Sequence, residues 1–432
     1  MNVLLLKAPD YSDQCRHRIA SASLFDPVIE ERAREIIQAV RERGDAALCE
    51  LVQRFDGATL EPDQFAVSHS ELMAASLRAD ETLRAAVAEA SANVEAFAKR
   101  SLRRGWRMRN SHGATVGEKF DPFFRVGIYI PGGMAPLVST ALMTIPLARV
   151  AGCREIVVCT PCDRKGQLNP ALLYAARHAG ATEIYRIGGA QAIAALALGT
   201  KTIRPVQKIF GPGNAYVVAA KRLLYGYAAM DLLPGPSELL VLADDTANPA
   251  FIAADLLAQA EHGSGHERVW MLTPSLKLLR AVQKELARQL PKLSRRELIE
   301  RALRNNGWLI QVADLGHGVE LTNRFAPEHL EIFCRQNAEL AKKITTAGAI
   351  FLGGYSPTVV GDYVAGPSHT LPAGGTGAAF AGLTVDQFQR RTSLVEYNKA
   401  SLKKALKTVQ KFAEGEGLEA HGLSAEIRLR QR

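Results

Sequence analysis

From about residue 108 onward the chain alternates short β-branched runs with helical stretches, and this alternation excludes most architectures. RVGIYI (125–130), EIVVCT (155–160) and EIYRI (183–187) are each followed by a helical pattern, which is the signature of βαβ units on a parallel sheet. QKIF then runs into GPGNAYVVAAKRLL. A second set, ELLVLA, ERVWML, GWLIQV and AIFL, alternates with helices across 238–352. The expected fold class is therefore α/β, with two parallel-sheet units at roughly 108–236 and 237–368. The first hundred residues read mostly as helix. VIEERAREIIQAVRERGDAALCELVQRFDG gives two helices separated at Gly44, with Asp45 as N-cap of the second. ETLRAAVAEASANVEAFAKR (81–100) gives another. Gly-rich GPSHTLPAGGTGAAFAGL (366–383) reads as loop, and the chain closes with a helix and a short tail.

The totals narrow the function. With 432 residues, 47% hydrophobic and 22% charged, the chain has the size and balance of an ordinary soluble enzyme of two or more domains. Its formal charge of +9 is interspersed with 44 Asp and Glu, so no nucleic-acid footprint is expected. The densest basic run, KRSLRRGWRMRN (99–110), reads as a solvated helix end and connector. Six scattered cysteines suit a reducing compartment. Cys159 and Cys162 form a CxxC, for which buried thiols at a strand end are the expected reading. MNVLLLKAPD has no basic n-region, so no signal peptide is read. Residues 126–148 carry no charge, but Pro131, Gly132, Gly133, Pro136 and Pro146 break the run, and no membrane span is expected.

Several stretches carry candidate chemistry. LLAQAEHGSGHE (256–267) reads as a helix end with Gln259 and His262 at i, i+3 on one face and Gly263 as the stop. Donors at that spacing can supply half of a tetrahedral metal site, although a Gln/His pair at a helix end is more often a C-terminal polar cap. His266 is a poorer partner for His262, because Gly263 and Gly265 interrupt the helix between them. YIPGG (129–133), IGGAQA (187–192) and FGPGNAY (210–216) are Gly-bearing turns that follow strands and open helices. Such turns let phosphates approach backbone N–H groups, and three on one sheet edge suggest a nucleotide site. FAPEHLEI (325–332) sets Glu328 beside His329 at an apparent helix start, a pair suited to proton transfer or, more plainly, to helix capping. GDYVAGPSH supplies Asp362 and His369, and EGLEAHG supplies Glu416 and His421.

Taken in order, GDAALCELVQRFDG, GIYIPGGMAPLVST, IGGAQAIAALALGT, KIFGPGNAYVVAAKR, GPSELLVLAD, LLAQAEHG, FAPEHLEI, GDYVAGPSHTLP and EGLEAHG resemble the histidinol dehydrogenase family over nearly the whole chain. The resemblance implies one zinc ion per subunit, held by Gln259, His262, Asp362 and His421. It implies NAD as cofactor, with contacts from Tyr129, Gln191 and Asn214. Ser237, His369 and Glu416 would contact substrate, together with His329 and the metal-binding residues. The implied reaction is the four-electron oxidation of L-histidinol to L-histidine through bound L-histidinal, which ends histidine biosynthesis in the cytoplasm. In it His329 takes the alcohol proton and Glu328 activates water. The implied fold has two incomplete Rossmann-like domains with small N- and C-terminal helical extensions, in a homodimer with shared active sites that His421 and Glu416 would complete. On this chain that gives an arm at 1–22, a metal and catalytic domain at 23–107 plus 237–368, an NAD domain at 108–236 and a C-terminal unit at 369–432. DLLPGPSE, GSGHERV and PSHTLPAGG depart from the family pattern and leave open another small polar alcohol or diol as substrate.

Overall fold

The computed structural model describes residues 1–20, 26–132, 137–233 and 235–430. Strand β1 (Asn2–Leu4) lies at a sheet edge, and β2 (Trp106–Arg109) and β3 (Thr115–Pro122) form an antiparallel pair. β4 (Arg125–Tyr129), β5 (Glu155–Cys159), β6 (Glu183–Tyr185), β7 (Lys208–Phe210) and β8 (Ala229–Met230) make a parallel sheet in the order β6-β5-β4-β7-β8. β9 (Glu238–Ala243), β10 (Arg268–Thr273), β11 (Gly307–Gln311), β12 (His329–Phe333) and β13 (Ala349–Leu352) join β1 in a second parallel sheet, ordered β1-β11-β10-β9-β12-β13. β14 (Gln389–Glu396) pairs antiparallel with β3. The α/β expectation with two parallel sheets holds.

Both parallel sheets are wound alike. Leaving aside edge strand β1, which precedes the rest of its sheet, each begins in a middle strand, adds two strands on one side, then crosses back to add two on the other. The reversal falls between β4 and β7 in one sheet and between β9 and β12 in the other. β4, β9, β10 and β12 are buried along their whole length, as parallel strands covered on both faces must be. This explains the largely apolar sequences of β4, β9 and β10, whereas Glu331 breaks the run in β12.

Three expectations need correction. FAPEHLEI does not open a helix. The helix Leu315–Phe325 stops at Ala326, which takes a left-handed conformation (φ 49°), and His329–Phe333 then runs as a strand between β9 and β13. Second, the helices Pro27–Arg43, Asp45–Phe55 and Glu81–Ser101, grouped above with residues 237–368, pack instead on the 108–236 sheet. Ile36, Ile37, Val40 and Leu48 share a core with Tyr129, Val157 and Ile193, and Val87, Ala90 and Val94 share one with Val126, Ile128 and Leu142. Their apolar stripes face the helices of that sheet, so packing complementarity decides their place. Third, Gly44 rather than Asp45 caps the second helix, and Asp45 accepts from the Thr202 hydroxyl at 2.7 Å. In addition, β1 within the expected arm extends the six-stranded sheet, and part of the basic run is the exposed strand β2. Residues 21–22 of the arm, Gly133 and Pro136 of the uncharged run, and Pro234 of DLLPGPSE lie outside the described residues.

The helices Lys399–Gly415 and Glu419–Arg430 pack chiefly on one another. Among the described residues no helix is long and apolar enough to cross a membrane.

Candidate active site

The six-stranded sheet presents its reactive groups at the amino ends of two central strands. Glu238 is the first residue of β9 and His329 the first of β12. The Glu238 N–H donates to Glu328 Oε2 at 2.8 Å, and the Glu328 N–H donates to Glu238 Oε2 at 3.3 Å. The two residues therefore lock each other. Fully buried Glu238 also accepts from Arg268 Nη1 at 2.9 Å. His329 Nδ1 lies 2.9 Å from the Glu238 carbonyl oxygen. A carbonyl only accepts, so Nδ1 carries the proton and Nε2 is left as the base.

That Nε2 stands 4.0 Å from Asp362 Oδ1. Burial, with smaller contributions from the neighbouring His262 and His369, holds the His329 imidazole down to about 4. His369 is likewise held at about 4 by burial, and its Nε2 lies 3.5 Å from the Thr140 hydroxyl. Burial raises Asp362 to about 6. Glu328 is pushed well above the usual carboxylate range by burial, with the Glu238 and Asp362 charges adding to it. The result is a neutral imidazole base beside a carboxyl of raised proton affinity, a combination suited to two successive proton transfers near neutral pH. Ser237 immediately precedes Glu238, half-buried at the same edge.

Gln259 and His262 differ from expectation in one respect. The helix Pro249–Ala260 is capped by Glu261, so His262 lies past its end, in a turn that Gly263 closes with φ 86°. Gln259 is buried and its Nε2 has no hydrogen-bond partner. Burial depresses His262, whose ring is hemmed by protein although one side is open to solvent. His266 is exposed, in a loop whose Ser264 and Gly265 N–H groups donate to Glu267.

Gln259, His262 and Asp362 would offer zinc a nitrogen and oxygen donor set without thiolate, with Gln259 binding through its amide oxygen, while its Nε2, which cannot ligate, is the buried atom left without a partner. Among the described residues no group of three or more His, Cys, Asp or Glu is arranged to hold a metal. His421 is exposed on the helix Glu419–Arg430, and exposed Glu416 follows the helix Lys399–Gly415. The fold of one chain brings together Glu328, His329, Asp362, His369 and His262, and leaves His421 and Glu416 outward.

The nucleotide candidates converge at the carboxyl edge of the five-stranded sheet, beside its winding reversal. A crevice of about 1120 Å³ is lined by Tyr129, Gly132, Pro161, Gln191 and Asn214, with Asp56 on its wall. Two helices, Gly189–Leu198 and Ala215–Leu223, begin at it. Asn214 Oδ1 caps the second by accepting from Tyr216 and Val217 N–H groups, which leaves its amide nitrogen to offer. The Tyr129 hydroxyl accepts from the Gly189 N–H at 3.0 Å, and burial raises that phenol to about 12. Gly132 and Gly188 sit so close to Pro161 that a Cβ on either would lie 2.4 Å from its ring. YIPGG is described only through Gly132. Cys159 and Cys162 are free thiols, and burial raises Cys162 to about 11.

Sequence reasoning missed Glu238, Arg268, Thr140 and Asp56. For Glu238 the signal was a carboxylate opening an otherwise apolar strand buried on both faces, where only a tertiary partner can satisfy it.

A family model described as histidinol dehydrogenase matches residues 21–429. The chain belongs to the histidinol dehydrogenase family. It is 44% identical over 407 residues to histidinol dehydrogenase of Heliobacterium mobile, covering 94% of this chain and 95% of that protein. It is 45% identical over 395 residues to that of Geobacillus kaustophilus, covering 91% and 92%. The crystal structure of histidinol dehydrogenase from Elizabethkingia anophelis matches with a TM-score of 0.94 at 35% identity, covering 100% of this chain and 98% of that one. Histidinol dehydrogenase membership makes the chain an oxidoreductase.

Proposed function

We propose that this chain oxidises L-histidinol to L-histidine through bound L-histidinal, using zinc and two NAD in turn, as a cytoplasmic homodimer. The observation that carries the reading is the Glu328–His329 pair held by Glu238, with His329 Nε2 free beside Asp362. Gln259, His262 and Asp362 would hold the zinc, with His421 supplied by a second copy. When bound, that ion supplies an anchor for the substrate's imidazole and amino nitrogens. The crevice lined by Tyr129, Gln191 and Asn214 would hold NAD, which would supply the hydride acceptor for the two oxidations.

The chain's own residues move the protons. His329 Nε2 takes the alcohol proton as the first hydride leaves, and its Nδ1–H bond to Glu238 keeps the ring in place. Glu328, ionised, takes a proton from the water that adds to the aldehyde carbon, and His329, protonated in the first step, returns its proton to the aldehyde oxygen. The hydrate then gives up its single carbon-bound hydride while His329 Nε2 takes a hydroxyl proton, leaving the carboxylic acid, which releases its remaining proton to become the carboxylate. Ser237 and His369 line the pocket from opposite sides of the sequence, and Glu416 of the second copy meets the polar end of the substrate.

Purified zinc-loaded protein given histidinol and NAD should form two NADH per histidinol consumed. Absence of NADH sinks the reading. Glu328→Gln should slow turnover of supplied histidinal more than formation of the first NADH, whereas His329→Asn should depress both oxidations by about 10²–10⁴-fold. Should histidinol prove inert while another small polar alcohol or diol turns over, the three sequence departures set the substrate.

A further inference from the structure

Beneath the metal-binding residues lies a pair of acids that the reaction does not use. Asp255 and Glu331 are 8% and 0% exposed and their carboxyls meet, the buried Glu331 Oε2 having no other partner. Two carboxylates cannot share a hydrogen bond without a proton between them. Two buried carboxyls in contact, with the Thr358 N–H as the hydrogen-bond donor facing Glu331, do not both ionise readily either, because each meets the other's negative charge out of water. The pair therefore holds one proton.

Its position in the fold is specific. Asp255 stands one turn before Gln259 on the helix Pro249–Ala260, so the two share a face. Glu331 is two residues after His329 on β12 and points to the same side of the sheet. Glu331 Oε1 also accepts from the Thr358 N–H at 2.9 Å. Thr358 is the first residue of the helix Thr358–Tyr363, which carries Asp362 and has no capping side chain of its own. One carboxyl pair thus ties together the three elements that present Gln259, His329 and Asp362.

We propose that Asp255 and Glu331, joined by a shared proton, are positioning residues that set Gln259 and Asp362 at metal-binding distance around His329. The proposal rests on the zinc reading above. A neutral apolar pair would fill the same space, but it would neither cap the Asp362 helix nor fix the slide of the Gln259 helix along β12. The single proton matters because a fully ionised pair would push the helix and strand apart.

The test measures zinc affinity by chelator competition on the full-length protein, with a thermal melt run beside it. Asp255→Asn can still donate to Glu331 and should keep affinity near that of the wild type. Asp255→Leu should lose about 10–100-fold in affinity, as changes to groups that orient metal ligands do. Equal affinity in folded Asp255→Leu overturns the proposal, even if its melting temperature falls. Thr358→Pro covers the case in which Asp255→Leu does not fold. Proline is accepted at a first helical position after an extended residue, and it removes the N–H that donates to Glu331, with Thr358→Val, which keeps that N–H, as the control for the loss of the buried hydroxyl. Thr358→Pro too should weaken zinc binding, and unchanged affinity in the proline variant is equally fatal. Infrared spectra of the metal-free protein should contain a carboxylic-acid carbonyl band that Asp255→Asn lacks, and its persistence in that variant excludes the shared proton. If the wild type binds no zinc, the metal reading fails and takes this proposal with it.

Discussion

Glu238 makes contacts to three separate functional groups, and each would respond differently to its loss. Its carboxylate meets the Arg268 guanidinium and the Glu328 N–H, and its carbonyl fixes the His329 tautomer. Glu238→Leu keeps the carbonyl but leaves Arg268 buried without its partner. Breaking a buried pair from one side typically costs about 3–5 kcal/mol. Denaturant unfolding should register that loss, and the double variant Glu238→Leu/Arg268→Met should recover most of it. Activity should not return with stability, since Glu328 still lacks the acceptor for its N–H. Asp56 gives a residue-scale prediction of opposite sign. Burial raises its carboxyl to about 6, and its Oδ2 has no partner. A folded-state value above the unfolded one means that ionising Asp56 costs stability, from the ordinary carboxylate range upward and fully above pH 6. Asp56→Asn should therefore be more stable than the wild type by on the order of 2 kcal/mol at about pH 7.5, with the difference vanishing below about pH 4. Melts at both pH values check it, and a wild-type advantage at neutral pH would falsify it. A carboxylate kept at such a cost on the wall of the nucleotide crevice suggests a ligand hydroxyl as its partner, so the NAD KM of the variant should rise.

At the scale of elements, the nucleotide edge depends on one turn. Lys221 and Asp231 are fully buried and 2.7 Å apart. Lys221 donates to the Gly211 carbonyl, and Asp231 Oδ2 accepts from the Gly211 N–H. Both backbone groups of Gly211 are therefore clamped, at φ 110°, where an added Cβ would lie 2.1 Å from the Tyr129 carbonyl oxygen. The turn that delivers Asn214 is thus fixed against the strand end that delivers Tyr129. Lys221→Met should raise the NAD KM and lower stability by about 3–5 kcal/mol, while a Lys221→Met/Asp231→Leu pair should regain stability without regaining NAD affinity. Steady-state kinetics and unfolding curves separate the two effects. The glycines of this turn were legible in the sequence, because tight turns leave a local mark. The clamp was not, since its acid and its lysine gain meaning only when folded around Gly211. β12 shows the same limit. Pro327 followed by two polar residues has the pattern of a helix start, and Glu331 interrupts the apolar run that would have marked a strand. What makes HLEIF a strand is burial between β9 and β13, with Asp255 and Thr358 answering Glu331 from other elements. Gln259 and His262 were visible as donors, but the end of their helix two residues early, at Ala260, was not.

At the scale of the whole molecule, the two sheets repeat one winding and also one device. In each, the first residues of the middle strand and of its next neighbour are register partners and form an ion pair. Arg125 faces Glu155 in the five-stranded sheet, and Glu238 faces Arg268 in the six-stranded one, with the signs exchanged. In the first sheet the pair only joins strands, with Glu183 adding to it. In the second, the acid sits on the middle strand, where it reaches across the winding reversal to Glu328 and His329. The same place in the fold thus serves as a clamp in one unit and as the support of the chemistry in the other. His421 and Glu416 stand apart from both sheets, on helices that pack chiefly on one another and expose Phe412, Leu423 and Ile427. The role proposed for them came only through family likeness, because their own exposed neighbourhood carries no pattern of a site. If sites are shared, His262→Asn and His421→Asn should each be inactive alone. Unfolded together and refolded, half of the dimers should be mixed, and each mixed dimer should hold one intact site and one doubly altered site. Activity and zinc content should then return to about a quarter of the wild-type value, from the statistics of random pairing in a two-fold dimer. No recovery, with mixed dimers demonstrated by differential tagging, would place His421 in its own subunit's site or outside the metal site altogether.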